Sequence, residues 1–522
     1  QHIAQIFGLG TSALSTAELP DDVDVLKQLV VAQAEEYETE LARLREQLNL
    51  LLAKRYGPSS EKHSPDQLGL FNEAESEAEN PPEEEPVEAV PIAAHERKRR
   101  GRKPLPDYLP RVRIEHDRPE EEKTCACGCG LTRIGEDTSE QLDIIPAQVR
   151  VLQHVRLKYA CKACEETIKT APVPAHPIPK SNASPGLLAH VAVAKYQDAL
   201  PLARQERILQ RAGVELPRAT LAGWMIKLGA LLDPLIEQLR ERLLAYDIVQ
   251  MDETRIQVLK EAGRSASTNS YIWVQRGGPP DQPIVLFFYD PSRGQAVAKD
   301  LLAGFSGYLQ SDGFEVYAAV AAANPDIALI GCLAHARRKF DEALKAQGKK
   351  AKGGKAQMAL AFIQRLYAVE KRLKDVTPQE RARERLALAK PILDDLHTWL
   401  EKSLPAVPPS TLTGKALTYL RNQWPKLVGY LEDGRLAIDN NACERAIRPF
   451  VLGRRNWLFS DTPNGAHASA NLYSIIETAK ASGHEPYRYL RHLFTELPKA
   501  SSPQAFAALL PFNISPSDIP DP

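Results

Sequence analysis

Long hydrophobic runs are missing from this chain. No stretch approaches the roughly 18 apolar residues that a membrane-spanning helix requires, so the protein is expected to be soluble, with no membrane partner. Cysteine is scarce: seven in 522 residues are too few for a disulfide scaffold. Neither sign of charge dominates, because 66 Lys and Arg against 67 Asp and Glu leave a formal net charge of −1, from which no partner can be read. The opening residues Gln1-His2-Ile3-Ala4 lack the basic stretch that precedes the apolar part of a secretory signal, and the expected location is cytoplasmic. What the chain does have is length, enough for roughly three or four folded units at about 150 residues per domain. It also has charge segregated into local clusters.

From Val30 the residues Val30, Ala34, Tyr37, Leu41, Leu44, Leu48 and Leu51 alternate in steps of four and three. That seam predicts a short coiled coil that self-associates; the alternative is an amphipathic helix packed on its own domain. Gly57-Pro58-Ser59-Ser60 ends it. Residues 73–94 hold eight glutamates and four prolines with no Lys or Arg, a composition that reads as a disordered linker. The charge then reverses in Arg97-Lys98-Arg99-Arg100-Gly101-Arg102-Lys103-Pro104. Arg100-Gly101-Arg102 beside Lys103-Pro104 resembles an AT-hook, which lies in the narrow minor groove where the potential is most negative. A solvated basic run touching only phosphates is the alternative, and in either case Arg99, Arg100, Arg102 and Lys103 face DNA.

Five of the seven cysteines fall between Cys125 and Cys164: Cys125, Cys127 and Cys129 in one turn, Cys161 and Cys164 in another. The segment Val149 to Tyr159 between them alternates apolar with polar residues like a strand. Two cysteine-bearing turns joined by strands describe a zinc ribbon, in which four of the five thiolates hold a structural zinc. The first turn leaves open whether Cys125 with Cys127 or Cys127 with Cys129 supplies its two ligands. Helical patterns follow over Leu187 to Tyr196, Leu202 to Arg211 and Arg218 to Leu228. Their breaks predict a helix-turn-helix whose last helix presents Arg218, Thr220 and Lys227 outward while Leu221, Trp224 and Leu228 pack inward. A structural bundle without DNA contact is the alternative.

From Ile248 the pattern changes to strands, Ile248 to Leu259, Tyr271 to Gln275 and Ile284 to Tyr289, then a helix from Gln295 to Phe305 and a strand Gly307 to Gln310. Antiparallel strands followed by a helix and a parallel strand predict an RNase H-like arrangement. Asp252 lies inside the first strand and Asp312 follows the fourth. Asp252 and its neighbour Glu253 point to opposite faces, and periodicity does not choose between them. A third acid is expected one turn inside the helix after Asp439-Asn440-Asn441, which favours Glu444 over Asp439.

The segments Met251-Asp252-Glu253-Thr254, Gln310-Ser311-Asp312-Gly313-Phe314, Gly331-Cys332-Leu333-Ala334-His335-Ala336-Arg337-Arg338-Lys339-Phe340 and Asp439 to Trp457 closely resemble the transposases of insertion-sequence family 66. The likeness runs over nearly the whole chain, from the leucine-rich helix ending in Lys54-Arg55-Tyr56-Gly57-Pro58 through the cysteine ribbon and the three-helix module. It implies a DDE set of Asp252, Asp312 and Glu444, binding magnesium or manganese. Two such ions about 3.5–4 Å apart stabilise the attacking and leaving oxygens of phosphodiester cleavage. It implies that water first cuts at the element end and that the freed 3′ hydroxyl then attacks target DNA. The partners it implies are double-stranded DNA of element ends and target, a second copy in a homodimer or higher oligomer, helper proteins of the same element, and a bacterial nucleoid setting.

Arg445, Arg448, Arg454, Arg455 and Trp457 in one stretch, and Arg337 and Arg338 with Lys339 in another, are read as phosphate contacts, with Trp457 stacking on an unpaired base. Salt bridges to local acids are the alternative for any one of them. Cys332 and His335 have the spacing of half a metal site, but without a second pair a packing and hydrogen-bonding role is favoured over zinc. The expected fold is multidomain α/β: coiled-coil helix 21–60, acidic linker 73–96, basic arm 97–104, zinc ribbon 110–175 and helix-turn-helix 184–230 come first. The RNase H-like domain follows in two parts, 245–344 and 432–500, around a helical insertion at 345–431 that grips DNA, with a C-terminal tail at 501–522 whose Pro-rich end from Pro511 is expected to be loose. A nuclease that only hydrolyses DNA and a regulator whose acids bind no metal are the rival readings.

Overall fold

The computed structural model describes residues 22–56, 113, 148–160, 168–347 and 354–520. The chain divides into two compact units, one of residues 80–151 and one of 1–79 with 152–522. In the first, the described residues 113 and 148–151 have no regular structure. The acidic linker, the basic arm and all five clustered cysteines lie outside the described residues.

Helix α1, Val23–Tyr56, stops directly before Gly57-Pro58, where a proline disfavours helical geometry in the residue ahead of it. Its seam residues Tyr37, Leu41, Leu44, Leu48 and Leu51 are all exposed. The strand expected over Val149 to Tyr159 is much shorter: only β1, Lys158–Ala160, pairs, with β2, Ile168–Thr170. Alternation buries a face only where a neighbouring strand exists, and residues 149–157 are exposed with no strand beside them among the described residues.

Helices α2 (Pro185–Tyr196), α3 (Leu202–Arg211), α4 (Arg218–Leu231) and α5 (Asp233–Leu244) lead into strands β3 (Ile248–Gln257), β4 (Asn269–Gly277) and β5 (Ile284–Asp290). Then come α6 (Gln295–Leu301), β6 (Gly307–Gln310), α7 (Glu315–Ala323) and β7 (Ile327–Ile330). Four longer helices follow, α8 (Leu333–Gln347), α9 (Lys355–Arg372), α10 (Pro378–Ser403) and α11 (Leu412–Val428). The chain closes with α12 (Asn441–Trp457), α13 (Pro463–Ala481), α14 (Pro486–Glu496) and α15 (Pro503–Ala508). No single helix among the described residues is long and apolar enough to cross a membrane.

The strands form one mixed sheet of order β5-β4-β3-β6-β7. The β3–β4 and β4–β5 pairs are antiparallel, while β6 runs parallel to β3 and β7 parallel to β6. The open edge of β5 is covered by hydroxyls of α13: Ser474 Oγ accepts from Phe287 N at 2.7 Å, Thr478 Oγ1 accepts from Val285 N at 3.1 Å and donates back to Val285 O at 3.0 Å. An edge satisfied in this way cannot pair with another chain.

The three-helix segment does not stand apart as a separate module. Leu188, Val191, Tyr196, Leu221, Trp224 and Leu228 belong to the same buried core as the sheet residues Val249, Trp273 and Phe287. Gly229 of α4 approaches α13 so closely that a Cβ there would meet Ala468 Cα at 2.4 Å. A second core lies among α8 to α11, built from Phe340, Ile363, Leu366, Leu396 and Leu420. There Arg385 is buried, bonded to Glu370 through Nε at 2.9 Å and Nη2 at 2.6 Å and to the carbonyls of Tyr430, Asp433 and Leu436. Nor is the segment from Pro511 loose. Leu509, Leu510 and Ile519 are buried, and Arg488 Nη2 donates to Ile519 O at 2.7 Å. Apolar residues spaced among the prolines give this end enough surface to dock.

Removing the Ser474 hydroxyl strands the buried Phe287 N–H, so Ser474→Ala is expected to cost about 1–3 kcal/mol, read as a lower urea midpoint at unchanged slope. A midpoint equal to wild type would mean that this edge is satisfied some other way.

Candidate active site

The parallel pairing of β3 with β6 matches Gln250 to Gln310. Asp252 and Asp312 each lie two residues further on, and since side chains alternate with a period of two, both acids emerge at one level on one face. Asp312 is just past its strand, where Gly313 turns the chain at φ 91° and Asp312 Oδ1 accepts from Phe314 N at 2.9 Å. Glu444 sits in the first turn of α12. That helix start is tied to β3 by Asn440, whose Nδ2 donates to the carbonyl of Met251, the residue before Asp252, at 2.9 Å.

The electrostatics bind the three acids into one group. Lost hydration pushes the Asp252 carboxyl well above the usual carboxylate range, and the charges of Glu253, Glu444 and Asp312 push it further. Glu444 is raised as well, first by burial and then by Asp439 and Asp312, while Arg338 pulls it back down. Arg338 Nη2 lies 3.4 Å from Glu444 Oε2. Among the described residues Glu444 Oε1, Ser311 Oγ, Asn440 Oδ1 and Asn441 Oδ1 are buried with no hydrogen-bond partner. Glu444 Oε1, a carboxylate oxygen left without a hydrogen-bond partner, fits a hard divalent cation, which takes oxygen ligands.

Both alternatives left by sequence periodicity are separated by what each side chain touches. Glu253 is engaged by its own partners: its carboxylate accepts from Arg293, through Nε at 2.9 Å and in closer contact through Nη2, and from Tyr317 OH at 2.6 Å, although the Asp312 charge also acts on it. The Arg293 guanidinium in turn lies 3.8 Å from the Phe314 ring centroid, next to the Asp312 turn. Asp439 is consumed by the start of α12, accepting from Asn441 N at 3.1 Å and from Asn441 Nδ2 at 2.9 Å, and from Tyr367 OH at 2.7 Å. Tyr419 OH donates to Asp312 O at 2.9 Å. Tyr367 and Tyr419 come from α9 and α11, so the insertion braces two acid-bearing segments, one at the Asp439 carboxylate and one at the Asp312 backbone carbonyl. Arg293, Tyr317, Tyr367 and Tyr419 carried no signal in the sequence, since each acts through a contact made by a distant element.

Cys332 and His335 join the same cluster. One ligand atom each from Cys332, His335 and Glu444 lies within 4.8 Å of the others, a grouping that could hold a metal ion. In this structure the Cys332 sulfur accepts from Asn440 N at 3.2 Å, and His335 Nδ1 stands 3.6 Å from Glu444 Oε1. Burial and then the Arg338 charge hold His335 down at about 4, so it is neutral at physiological pH.

The described cations expected to meet DNA are scattered over at least three places. Arg338 is paired with Glu444, and Arg445 is exposed on α12 beside it. Arg454 and Arg455 lie at the far end of α12, where Arg454 Nη1 donates to Thr254 Oγ1 at 3.1 Å. Arg218 and Lys227 are exposed on α4 and Thr220 is half-buried there. Arg337 and Arg448 are half-buried. Trp457 is half-buried too, its ring 5.4 Å from that of Phe450 and beneath Lys195 Nζ at 5.1 Å.

A mixed sheet with one acid inside a strand, a second just past the parallel strand beside it and a third on a later helix defines a class of α/β protein with clustered carboxylates. Comparison with known proteins gives the family. The profile described as Transposase IS66 family matches residues 180–468, and that of the zinc-finger binding domain of transposase IS66 matches 122–165. The profile Transposase C of IS166 homeodomain matches 43–114 and the IS66 C-terminal element matches 474–512. The uncharacterized protein y4qI of Sinorhizobium fredii is 33% identical, with 97% of this chain and 99% of the relative covered. The uncharacterized protein y4jD of the same organism is 32% identical over 78% of this chain and 81% of its own length. The chain belongs to the IS66 family of transposases, and its zinc-finger region supports a structural zinc.

The raised carboxyl values fix the direction of a pH effect. A carboxyl whose folded value exceeds its unfolded one stabilises the fold at low pH, and that contribution is lost as pH rises through the folded value. The metal-free protein is therefore expected to lose thermal stability as pH rises above the ordinary carboxylate range. Asp252→Asn should flatten part of that fall and add about 0.5–2 kcal/mol at pH 8. A variant with the wild-type profile would show that Asp252 is not under this strain.

Proposed function

We propose that this chain is a DDE transposase that binds the ends of its insertion sequence, cleaves them and joins them to target DNA. The observation that carries the reading is the mutual electrostatic grouping of Asp252, Asp312 and Glu444, with Glu444 Oε1 left without a hydrogen-bond partner. The strand order, three antiparallel strands continued by two parallel ones, supports an RNase H-like catalytic domain interrupted by the helices of 355–428.

In this reading Asp252, Asp312 and Glu444 offer the oxygens that hold magnesium or manganese. When bound, such ions polarise the scissile phosphate and lower the pKa of water. The chain's own work is positional. The β3–β6 register and the Asn440–Met251 bond hold the three carboxylates together. Tyr419 fixes the Asp312 turn, and Arg338 and His335 steady Glu444. Arg337, Arg445, Arg448, Arg454 and Arg455 take phosphates, with Arg218, Thr220 and Lys227 as further contacts on α4 and Arg99, Arg100, Arg102 and Lys103 in the basic arm. Four of Cys125, Cys127, Cys129, Cys161 and Cys164 hold the zinc. The open seam of α1 is what a second copy would cover, giving a homodimer or higher oligomer. Helper proteins of the same element complete the assembly.

Asp252→Asn, Asp312→Asn and Glu444→Gln are each expected to lower magnesium-dependent cleavage of end DNA by about 10³-fold or more while sparing DNA binding. Any of the three that cut normally would remove its residue from the catalytic set. Metal analysis of the purified full chain is expected to find one zinc per chain, and Cys161→Ser should lose it; a Cys161→Ser chain that retained its zinc would refute that ligand.

A further inference from the structure

The end of α12 makes a turn that an ordinary side chain avoids. Leu458 has φ 67° and ψ −52°, and Phe459 N donates to Trp457 O at 2.9 Å. This is the γ-turn form that is rare because it crowds Cβ against the backbone. Bonds on both sides hold the turn: Leu458 N to Arg454 O at 2.7 Å, Ser460 N to Gln257 O at 2.9 Å and Leu259 N to Ser460 O at 3.0 Å. Its effect is to send Trp457 inward and two large apolar neighbours outward, with Leu458 63% and Phe459 42% exposed. Strained backbone that the surrounding bonds enforce tends to mark a functional site.

The surroundings say what kind of partner fits. Burial lowers the Arg454 pKa, and the nearby charges of Arg455 and Arg255 lower it further, so three guanidiniums repel one another here. The adjacent acid, Asp461, is already paired with Lys260 at 2.7 Å. A protein surface covering this patch would have to bring its own carboxylates. DNA brings phosphates for the cations and a base stack for the apolar pair.

We propose that Leu458 and Phe459 form a wedge that enters duplex DNA and opens a base step, while Arg255, Arg454 and Arg455 take the flanking phosphates. The wedge rests on the transposase reading above and adds a second contact to it. Leu458 lies 14 positions beyond Glu444, or about 20 Å at 1.5 Å per helical residue, which is about six base-pair steps from the acids.

The test uses the full chain and duplexes taken from the DNA flanking its coding sequence, with 2-aminopurine placed at successive positions. Wild type is expected to raise the fluorescence at one or two steps about six base pairs from the cut. In the double variant Leu458→Gly with Phe459→Ser, glycine accepts the positive φ, so the melting temperature should hold or rise. Its DNA binding should stay within about threefold, the fluorescence rise should vanish, and cleavage of paired ends should slow by about tenfold or more. A mismatch built in at the responsive step should restore the cleavage rate. Bound wild-type protein without a fluorescence rise, or a variant that cuts paired ends at the wild-type rate, would overturn the wedge. So would a change of oligomeric state with DNA behaviour untouched, which would mark the patch as an interface between copies. A local rise with no cleavage by wild type would leave the wedge standing and count against the acids.

Discussion

Three carboxylates held close together in a partly dehydrated pocket repel one another, and much of the fold around them exists to resist that repulsion. Burial first, and then the charges of neighbouring acids, raises Asp252 and Glu444 above the usual carboxylate range. Resistance comes from covalent and hydrogen-bonded geometry rather than from neutralising partners. The β3–β6 ladder puts two acids at one level, and Asn440 bonds the start of α12 to the strand beneath. Among the described residues only Glu444 of the three receives a direct cation, from Arg338, and at 3.4 Å the contact is loose. A pocket with compensation left incomplete in this way is one in which a multivalent cation gains the most.

The neighbouring acids show the opposite treatment. Glu253 is neutralised by a guanidinium and a phenol, and Asp439 is spent on capping and on Tyr367. Identical chemical groups one residue apart on β3 thus have different fates, because a strand sends successive side chains into different surroundings. The engaged acids still serve the open ones: Glu253 links β3 to Tyr317 beyond the Asp312 turn, and Asp439 shapes the first turn that carries Glu444.

The helical insertion has its own core and a buried Arg385–Glu370 pair, so it is a rigid body rather than a flexible graft. Its tyrosines reach back to Asp312 and Asp439. Rigidity inside the insertion is therefore passed to two of the segments that position acids. The same logic applies to α13, whose hydroxyls close the sheet edge and whose Ala468 packs on Gly229, joining the α2–α4 segment to the catalytic core.

Much of this was legible in local pattern. The strands at 248–257, 284–290 and 307–310 fall where alternation and short apolar runs put them, and the helices at 202–211 and 218–231 fall between their proline and glycine breaks. Such patterns are written by the period of each element and by residues with restricted backbones, so neighbouring letters suffice. Local letters misled where burial needed a distant partner: residues 149–157 alternate but meet no strand among the described residues, and the proline-rich end docks on α14 through Ile519. The sequence by itself determined which elements form and which chemical groups each one carries. Only the tertiary structure decided that Arg293 and Tyr317 bind Glu253, that Tyr419 and Tyr367 bond the Asp312 carbonyl and the Asp439 carboxylate, and that Leu458 turns outward. Those outcomes depend on contacts between residues far apart in the chain, and no periodicity along the chain encodes them.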